Sequence, residues 1–318
     1  MSKKIMLSLA IFLFIVGALA YRGRIIYFSS SKTKIPAGVT IAASFYPLVH
    51  FAEKVSGTSA SVISMVPNGI EPHEFEPTPQ DIIRLRQSKV FFYIGDGLEP
   101  WAERLKAELE PAGVRMISIA AAVTTLPIAE EEIIIAESEE EQAGYDPHVW
   151  LDPVRAQNIV ALIRDELIQA DPTHATEYRQ NAANYTNELA KLHDAYEKGL
   201  AQCASRDIVV SHDAYQYVAH RYGLNLHAIA GLSPEAEPSP QRLAKLTERI
   251  KDKKISTVFF ETLTTPKLAE TLARETGAKT DVLNPIEGLT ESEQRAGKNY
   301  DSIMQENLVA LRRALVCQ

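Results

Sequence analysis

An internal repeat constrains the fold of this chain more than any other sequence feature. The stretch EPTPQDIIRLRQSKVFF (Glu76 to Phe92) resembles EPSPQRLAKLTERIKDKKISTVFF (Glu237 to Phe260), which has a longer helical segment before its final apolar run. In each copy a hydroxyl residue, Thr78 or Ser239, can cap a helix that has proline at its first position. Chance reuse of one helix-start signal is the alternative. We interpret the repeat as two lobes of similar build.

Short apolar runs alternate with helical stretches in both halves of the chain. The runs VTIAASFYPL, KVFFYIG, DIVVSHD and ISTVFFET are rich in β-branched and aromatic residues, which is typical of buried strands. Strands that alternate with helices indicate an α/β fold with parallel sheets. The sequence therefore predicts two similar α/β lobes with mostly parallel sheets.

A long helix is predicted to bridge the two lobes. Ile159, Leu162, Ile163 and Leu167 recur at helical spacing, and Pro172 is expected to kink the helix or restart it. Because a helix is a stiff connector, we expect metal release to depend on a mobile loop at residues 284–290 and not on wide opening of the lobes.

The predicted division is a signal peptide or N-terminal anchor at 1–20, a linker at 21–37, an N-terminal α/β lobe at 38–152, the connecting helix at 153–182 and a C-terminal α/β lobe at 183–318.

The first twenty residues, MSKKIMLSLAIFLFIVGALA, have the pattern of an export signal. Two lysines precede an apolar run that ends in small residues, as at a cleavage site. An uncleaved anchor is the alternative, because the run is about as long as a marginal membrane span. Either reading predicts a location outside the cytoplasm, in a periplasm or at the outer face of the cytoplasmic membrane.

The two cysteines, Cys203 and Cys317, would form a disulfide in such a compartment if the fold brings them together.

The charge balance disfavours nucleic acid as a partner. The chain has 41 acidic and 33 basic residues, and its formal net charge is -8. A negative protein repels phosphate backbones. We therefore expect no nucleic-acid partner.

Three of the eight histidines stand where a binding site is expected. His73 lies in GIEPHEFEPTP, His148 in YDPHVWLDP and His212 in VVSHDAY, each at a strand end or in a proline-containing loop. Parallel α/β folds present ligands at such strand ends, and the prolines restrict the neighbouring backbone. Glu287 in LNPIEGL has a similar setting. The other five histidines lie in helical or strand-like runs, where packed or solvated imidazoles are expected.

Three imidazoles and one carboxylate suit zinc, which takes nitrogen and oxygen donors in a four-coordinate shell. The residues alone leave two readings open, a joint metal site or separate histidines that cap loops, because the four positions are far apart in sequence. In a joint site, neighbouring acids such as Asp146, Asp152 or Asp213 could orient the imidazole rings. A closed four-coordinate shell argues against catalysis.

Eight stretches carry a family resemblance: ASFYPL, GIEPHEFEPTPQDI, GDGLEPW, DPHVWLDP, SHDAYQYVAHRYGL, EAEPSPQ, FFETLTTPKLAETLARETGAK and LNPIEGLT. In them the chain resembles the metal-binding solute-binding proteins of bacterial ABC importers, and most closely the zinc-uptake, ZnuA-like branch (cluster A-I). The resemblance covers nearly the whole chain after residues 1–20. It implies two α/β lobes bridged by one long helix, with the metal site in the cleft between them.

The resemblance also implies a set of metal ligands. It places the three histidine ligands of the family at His73, His148 and His212. Members that prefer manganese usually have a carboxylate at the third position, so the histidine there implies zinc. The fourth position varies within the family. We expect Glu287, with Asp281, Glu71 and Glu74 as alternatives.

One loop departs from the family pattern. Many zinc-uptake members have a histidine-rich loop before the second ligand, whereas this chain has EEEIIIAESEEEQ at residues 130–142. We interpret it as a solvated acidic loop. The alternative is a weaker zinc-collecting site made of carboxylates.

The expected function is that of a monomeric, extracytoplasmic zinc-binding component of an ABC metal importer. It would capture Zn²⁺ as the transported ligand and deliver it to the membrane permease, with no catalytic residues and no resident cofactor. One alternative is a manganese- or iron-binding member of the same family, and another is an adhesin of the same fold. A zinc hydrolase, with Glu71 or Glu74 as the base, is disfavoured because the sequence has no helix with the paired-histidine metalloprotease spacing.

Overall fold

Two four-stranded sheets organise the computed structural model, which describes residues 39–127 and 144–318. The strands of the first sheet are β1 (Thr40–Ala43), β2 (Ser61–Ser64), β3 (Val90–Tyr93) and β4 (Arg115–Ser118). Those of the second are β5 (Asp207–Val210), β6 (Asn225–Ala228), β7 (Thr257–Phe260) and β8 (Lys279–Val282). Their orders, β2-β1-β3-β4 and β6-β5-β7-β8, follow one pattern, and all the pairs are parallel. The predicted α/β fold with two similar parallel sheets is confirmed.

Helices flank both sheets. In the first lobe, which carries the first sheet, they are α1 (Tyr46–Ser56), α2 (Pro79–Leu85), α3 (Pro100–Leu109) and α4 (Ile119–Ala122). Two long helices, α5 (Pro153–Ala170) and α6 (Ala175–Leu200), follow. The second lobe adds α7 (Gln216–Tyr222), α8 (Pro240–Lys253), α9 (Lys267–Thr276), α10 (Glu291–Arg295) and α11 (Tyr300–Ala314).

The internal repeat corresponds to equivalent elements of the two lobes. Its first copy forms α2 and β3, and its second copy forms α8 and β7, so each copy leads into the third strand of its sheet order. Thr78 accepts a hydrogen bond from the Asp81 amide, and Ser239 accepts one from the Arg242 amide, with proline at the next position in both helices. Each cap satisfies an amide that the first helical turn leaves unpaired.

The connecting segment restarts after Pro172, one of the two outcomes expected there, and it continues beyond the end that we placed at residue 182. The first helix, α5, ends at Ala170, a 3-10 turn covers Pro172–His174, and α6 begins at Ala175. Pro172 has no amide hydrogen to donate, so it ends one helix and allows another to start. The helix that packs against both lobes is α6, which contacts α1 in the first lobe and α7 and α11 in the second. Its 26 residues span about 39 Å at 1.5 Å per residue.

The two lobes share one hydrophobic core. A continuous cluster of buried side chains includes Phe45 and Trp150 as well as Tyr185 on α6 and Tyr300 on α11. Two separate clusters cover the other faces of the two sheets. The cluster of the first lobe surrounds Phe91, and the smaller cluster of the second lobe consists of aliphatic residues. Because one core joins the lobes, moving them apart would expose apolar surface to water.

Cys203 and Cys317 form a disulfide bond. The bond joins the segment after α6 to the chain end after α11, where backbone hydrogen bonds also link Ala204 to Val316 and Gln318 to Gln202. The sequence left this pairing open, because it depends on where two positions that are 114 residues apart meet.

None of the helices in the described ranges is long and apolar enough to cross a bilayer. The predicted signal or anchor at residues 1–20 and the glutamate-rich stretch at 130–142 lie outside those ranges.

Candidate metal centre

The structure brings the four predicted ligands together. His73 follows β2, and His212 stands two residues after β5. Glu287 follows β8, and His148 directly precedes a 3-10 turn at Val149–Leu151 that leads into α5. The carboxyl ends of parallel strands lie at one edge of a sheet, which is where α/β folds present ligands. The group therefore combines residues of both lobes.

The four side chains are spaced like the ligands of one metal ion. One ligand atom from each of the four residues lies within 4.8 Å of the others. Glu287 Oε1 lies 3.5 Å from His73 Nε2, 3.4 Å from His148 Nε2 and 3.3 Å from His212 Nε2. In a tetrahedral zinc shell with bonds of about 2.0–2.1 Å, neighbouring ligand atoms are roughly 3.3 Å apart. All four side chains are buried.

Two imidazole rings are oriented by carboxylates. Asp146 Oδ1 lies 2.8 Å from His148 Nδ1 and also accepts the His148 amide at 2.9 Å. His212 Nδ1 lies 2.9 Å from Glu261 Oε1. A carboxylate accepts hydrogen bonds, so each Nδ1 carries a proton, and each Nε2 faces the centre, where it can bind a metal once it is deprotonated.

Glu261 was missed by the sequence analysis, which named Asp146, Asp152 and Asp213 as acids that could orient the rings. Of these three acids, Asp146 is the one with a described contact to a ligand ring. Glu261 is buried and is the first residue after the buried strand β7. The sequence feature that could have identified Glu261 is its position, a carboxylate at the carboxyl end of a predicted strand. The three histidines were selected on the same kind of position.

The other two acids have different roles. Asp152 is buried, caps α5 through the Val154 amide, and forms ion pairs with Arg155 and Arg221. It therefore ties the His148 segment to α7, which carries Arg221. Asp213 accepts hydrogen bonds from Gln216 Nε2 at 2.9 and 3.1 Å.

The three alternative fourth ligands lie outside the group. Asp281 on β8 pairs with Arg313 at 3.0 Å, and Glu74 is exposed. Glu71 accepts the His73 amide at 3.3 Å, and burial, together with the charge of Glu287, raises its pKa to about 8. Of these acids, Glu287 alone belongs to the cluster.

The electrostatics of the metal-free group favour a charged His212. Burial alone would lower the pKa of His212, but the carboxylates of Glu261 and Glu287 raise it to about 10. Burial alone would raise the pKa of Glu287, but His212, followed by His148 and His73, holds it well below its usual range. A proton on His212 thus occupies the position of a cation until a metal displaces it.

The loop that carries Glu287 is firmly held. Trp150 Nε1 donates to the Pro285 carbonyl at 2.8 Å, and the Trp150 ring lies 5.1 Å from the His148 ring, measured between centroids. Asn284 exchanges hydrogen bonds of 2.9 and 2.7 Å with Asn307. These contacts restrain the loop at residues 284–290, and its greater mobility in the metal-free protein stays a prediction.

The residue before Glu287 has a strained backbone. Ile286 has a φ of +63°, a left-handed conformation that is unusual for a β-branched side chain. Its side chain is fully buried, and its amide donates to Asn284 Oδ1 at 2.7 Å. Such strain persists only where the surrounding contacts enforce it. The contacts around Ile286 therefore fix the backbone conformation that sets the direction of the Glu287 side chain.

Four of the remaining histidines have neighbours that account for them. His50 contacts Asp301, His174 contacts Asp171, His193 contacts Tyr222, and His227 contacts Asp207. His220 is exposed on α7. These settings agree with the expected packed or solvated imidazoles.

Comparisons with known proteins agree on one family. The family described as zinc-uptake complex component A, periplasmic (ZnuA), matches residues 41–314. The zinc-binding lipoprotein AdcA of Streptococcus pneumoniae is 40% identical over 285 residues, which are 89% of this chain and 57% of that protein. This chain therefore spans little more than half the length of that relative.

Two further relatives match over most of their own length. The high-affinity zinc uptake system protein ZnuA of Bacillus subtilis is 34% identical over 278 residues, 87% of each chain. A crystal structure of the Zn(II)-bound ZnuA-like domain of S. pneumoniae AdcA superposes with a TM-score of 0.74 at 39% identity, covering 87% of this chain and 99% of that one.

Proposed function

The chain belongs to the ZnuA family of zinc-uptake components, and we propose that it binds Zn²⁺ outside the cytoplasm and delivers it to the permease of an ABC importer. His73, His148, His212 and Glu287 are the proposed ligands. The observation that carries the proposal is the spacing of these residues. Their nitrogen and oxygen atoms are 3.2–3.5 Å apart where the structure gives the distance, which is the edge length of a tetrahedral zinc shell.

Charge and hydrogen bonding also support zinc as the cargo. Three neutral imidazoles and one carboxylate leave a formal charge of +1 on a bound Zn²⁺ centre. The carboxylates of Asp146 and Glu261, which accept from the ring nitrogens, lie where they offset that charge and strengthen the imidazoles as donors. A site with three nitrogen donors favours zinc over manganese, which prefers oxygen ligands.

The same geometry supports transport over catalysis. Zinc enzymes keep one coordination position open for water or substrate, whereas four protein ligands complete a tetrahedral shell. The cluster provides four ligands, and their side chains are buried. This geometry supports a role in which the protein holds the ion as transported cargo.

The remaining parts of the proposal concern location and assembly. A lysine-preceded apolar segment at residues 1–20 supports export, with the segment cleaved or kept as an anchor. A net charge of -8 supports the absence of a nucleic-acid partner. We propose a monomer that meets the permease, because the metal group is complete within one chain.

Metal competition tests the proposal. The metal-free full chain is titrated with Zn²⁺ and with Mn²⁺ against chromophoric chelators, in parallel with His212→Ala and with His220→Ala, which removes an exposed imidazole outside the group. Zinc affinity should fall by about 10²–10³-fold in His212→Ala, as expected when one of four ligands is lost, and stay unchanged in His220→Ala. Wild-type zinc affinity in His212→Ala, or tighter binding of Mn²⁺ than of Zn²⁺, would overturn the proposal.

A further inference from the structure

A second polar site lies in the second lobe, outside the metal group. An open pocket of about 220 Å³ lies between the edge strand β6 and helix α8. Three cationic side chains of α8 line it, Arg242, Lys245 and Arg249. Their spacing of three and four residues places them on one face of the helix.

These cations lack carboxylate partners within the described ranges. Arg242 uses Nε and Nη2 to donate to the backbone carbonyls of Ala228 and Ala230 at 3.1–3.2 Å. Lys245 has no ion pair with any described residue. A concentration of unneutralised positive charge in a pocket attracts anions.

The third cation is fixed in place by a histidine. Arg249 Nη1 lies 3.3 Å from His227 Nδ1, and His227 Nε2 lies 3.0 Å from Asp207 Oδ1. An arginine can only donate, so Nδ1 is the acceptor and Nε2 carries the proton that Asp207 accepts. The imidazole thereby holds the guanidinium at the pocket, and Arg249 forms no ion pair with a carboxylate among the described residues.

One acid, Asp213, lines the pocket, and it accepts from Gln216. Three cations against one carboxylate leave a local formal charge of +2. A phosphate group carries about -1.5 to -2 at neutral pH and offers several strong acceptor oxygens. Arginine matches phosphate geometry through paired N–H donors, and lysine adds a point charge.

From this combination we propose that the pocket between β6 and α8 binds a phosphate group, held by Arg242, Lys245 and Arg249. The phosphate group comes either from a soluble phosphate compound or from the headgroup of an anionic phospholipid. The site is separate from zinc capture, because none of its lining residues belongs to the proposed metal ligands.

The test uses the zinc-saturated full chain from which unbound zinc has been removed, so that phosphate meets neither free metal nor an empty metal group. Inorganic phosphate is titrated at constant ionic strength against chloride, and amide NMR shifts of Gln216, Lys245 and Arg249 are followed. Saturable shifts with phosphate alone are expected. The double variant Lys245→Gln/Arg249→Gln should weaken phosphate binding about tenfold or more, since each charge-assisted hydrogen bond contributes substantially.

A matched control separates the pocket from a generally basic helix. Lys251→Gln/Lys253→Gln removes the same charge from α8 at two exposed positions that do not line this pocket, and its phosphate binding should stay within about twofold of wild type. Equal weakening in both double variants, or no saturable response to phosphate, would overturn the proposal.

Vesicles identify the source of the phosphate. The protein is mixed with phosphatidylglycerol–phosphatidylcholine vesicles and with vesicles of phosphatidylcholine alone. Binding to the first kind only, which Lys245→Gln/Arg249→Gln abolishes and Lys251→Gln/Lys253→Gln does not, assigns the site to a lipid headgroup. Phosphate binding without vesicle binding assigns it to a soluble compound.

Discussion

The Nε2 atoms of His148 and His212 lie 3.2 Å apart, although the two residues are 64 positions apart in sequence. Both rings have a carboxylate at Nδ1, so both Nε2 atoms face the same point. Two lone pairs at this distance repel each other unless a proton or a cation lies between them. The protein holds its donors in the geometry of the bound state, and zinc should therefore raise its thermal stability.

Glu261 should control zinc affinity without contacting the ion. We expect Glu261→Gln to weaken zinc binding by about 10–100-fold, the usual cost of losing a carboxylate that orients a histidine ligand. Glu237→Gln, a change at an exposed glutamate, should leave affinity unchanged. Calorimetric competition with a chelator measures both. Wild-type affinity in Glu261→Gln would contradict the orienting role.

Zinc binding should release a proton from His212 at neutral pH. The pKa of His212 is raised to about 10 in the metal-free protein, so the ring is protonated at pH 7 and must lose that proton to bind zinc. Affinity should therefore keep rising with pH through the range from 7 to about 10, and should not level off near the ordinary histidine pKa of about 6.5. The pKa of Glu287 is held low, so its carboxylate does not compete for protons in this range.

Calorimetry at pH 7 in buffers of different ionisation enthalpy measures that release. At least one proton per zinc is expected. A binding enthalpy independent of the buffer, or an affinity that is flat above pH 7, would contradict the raised pKa of His212.

Trp150 should hold the Glu287 loop in place. Trp150→Phe removes the donor to the Pro285 carbonyl, and an unsatisfied buried carbonyl costs about 1–3 kcal/mol. We expect lower stability, faster zinc dissociation, and faster hydrogen exchange at residues 284–290. The matched control is Trp101→Phe, at the other tryptophan. Trp101 is similarly buried, in the cluster around Phe91, and its replacement should lower stability without changing the zinc dissociation rate. Equal dissociation rates in the two variants would argue against the anchor.

The disulfide should stabilise the fold and leave zinc affinity unaffected. It closes a loop of 114 residues, for which chain entropy alone gives at most about 4–5 kcal/mol. The double variant Cys203→Ser/Cys317→Ser should therefore unfold at a lower denaturant concentration than wild type. Its zinc affinity, measured in the folded range, should match wild type. An unchanged midpoint would show that the bond does not constrain the unfolded chain.

The lobes should keep their arrangement when zinc is removed. They share one buried core, and α6 packs against both, so opening would expose apolar surface. Solution scattering with and without zinc should give nearly equal radii of gyration. A marked decrease on zinc binding would mean that the connection acts as a hinge.

The sequence by itself determined the features that depend on neighbouring residues. Strand and helix alternation, the paired helix caps at Thr78 and Ser239, and the break at Pro172 all follow from local propensity and backbone chemistry. Strand-end positions and family resemblance together selected His73, His148 and His212 from the eight histidines. Local signals were sufficient here, because each of these features is set within a few residues of chain.

Tertiary structure alone decided which distant groups meet. It paired Glu261 with His212, separated Asp281 from the ligand group, joined Cys203 to Cys317, and placed both lobes on one core. It also showed that α6 spans the lobes, although the sequence had placed the connector earlier. A side chain's partner depends on how sheets and helices pack through space, and packing energy is shared among many residues, so no short stretch of sequence records it.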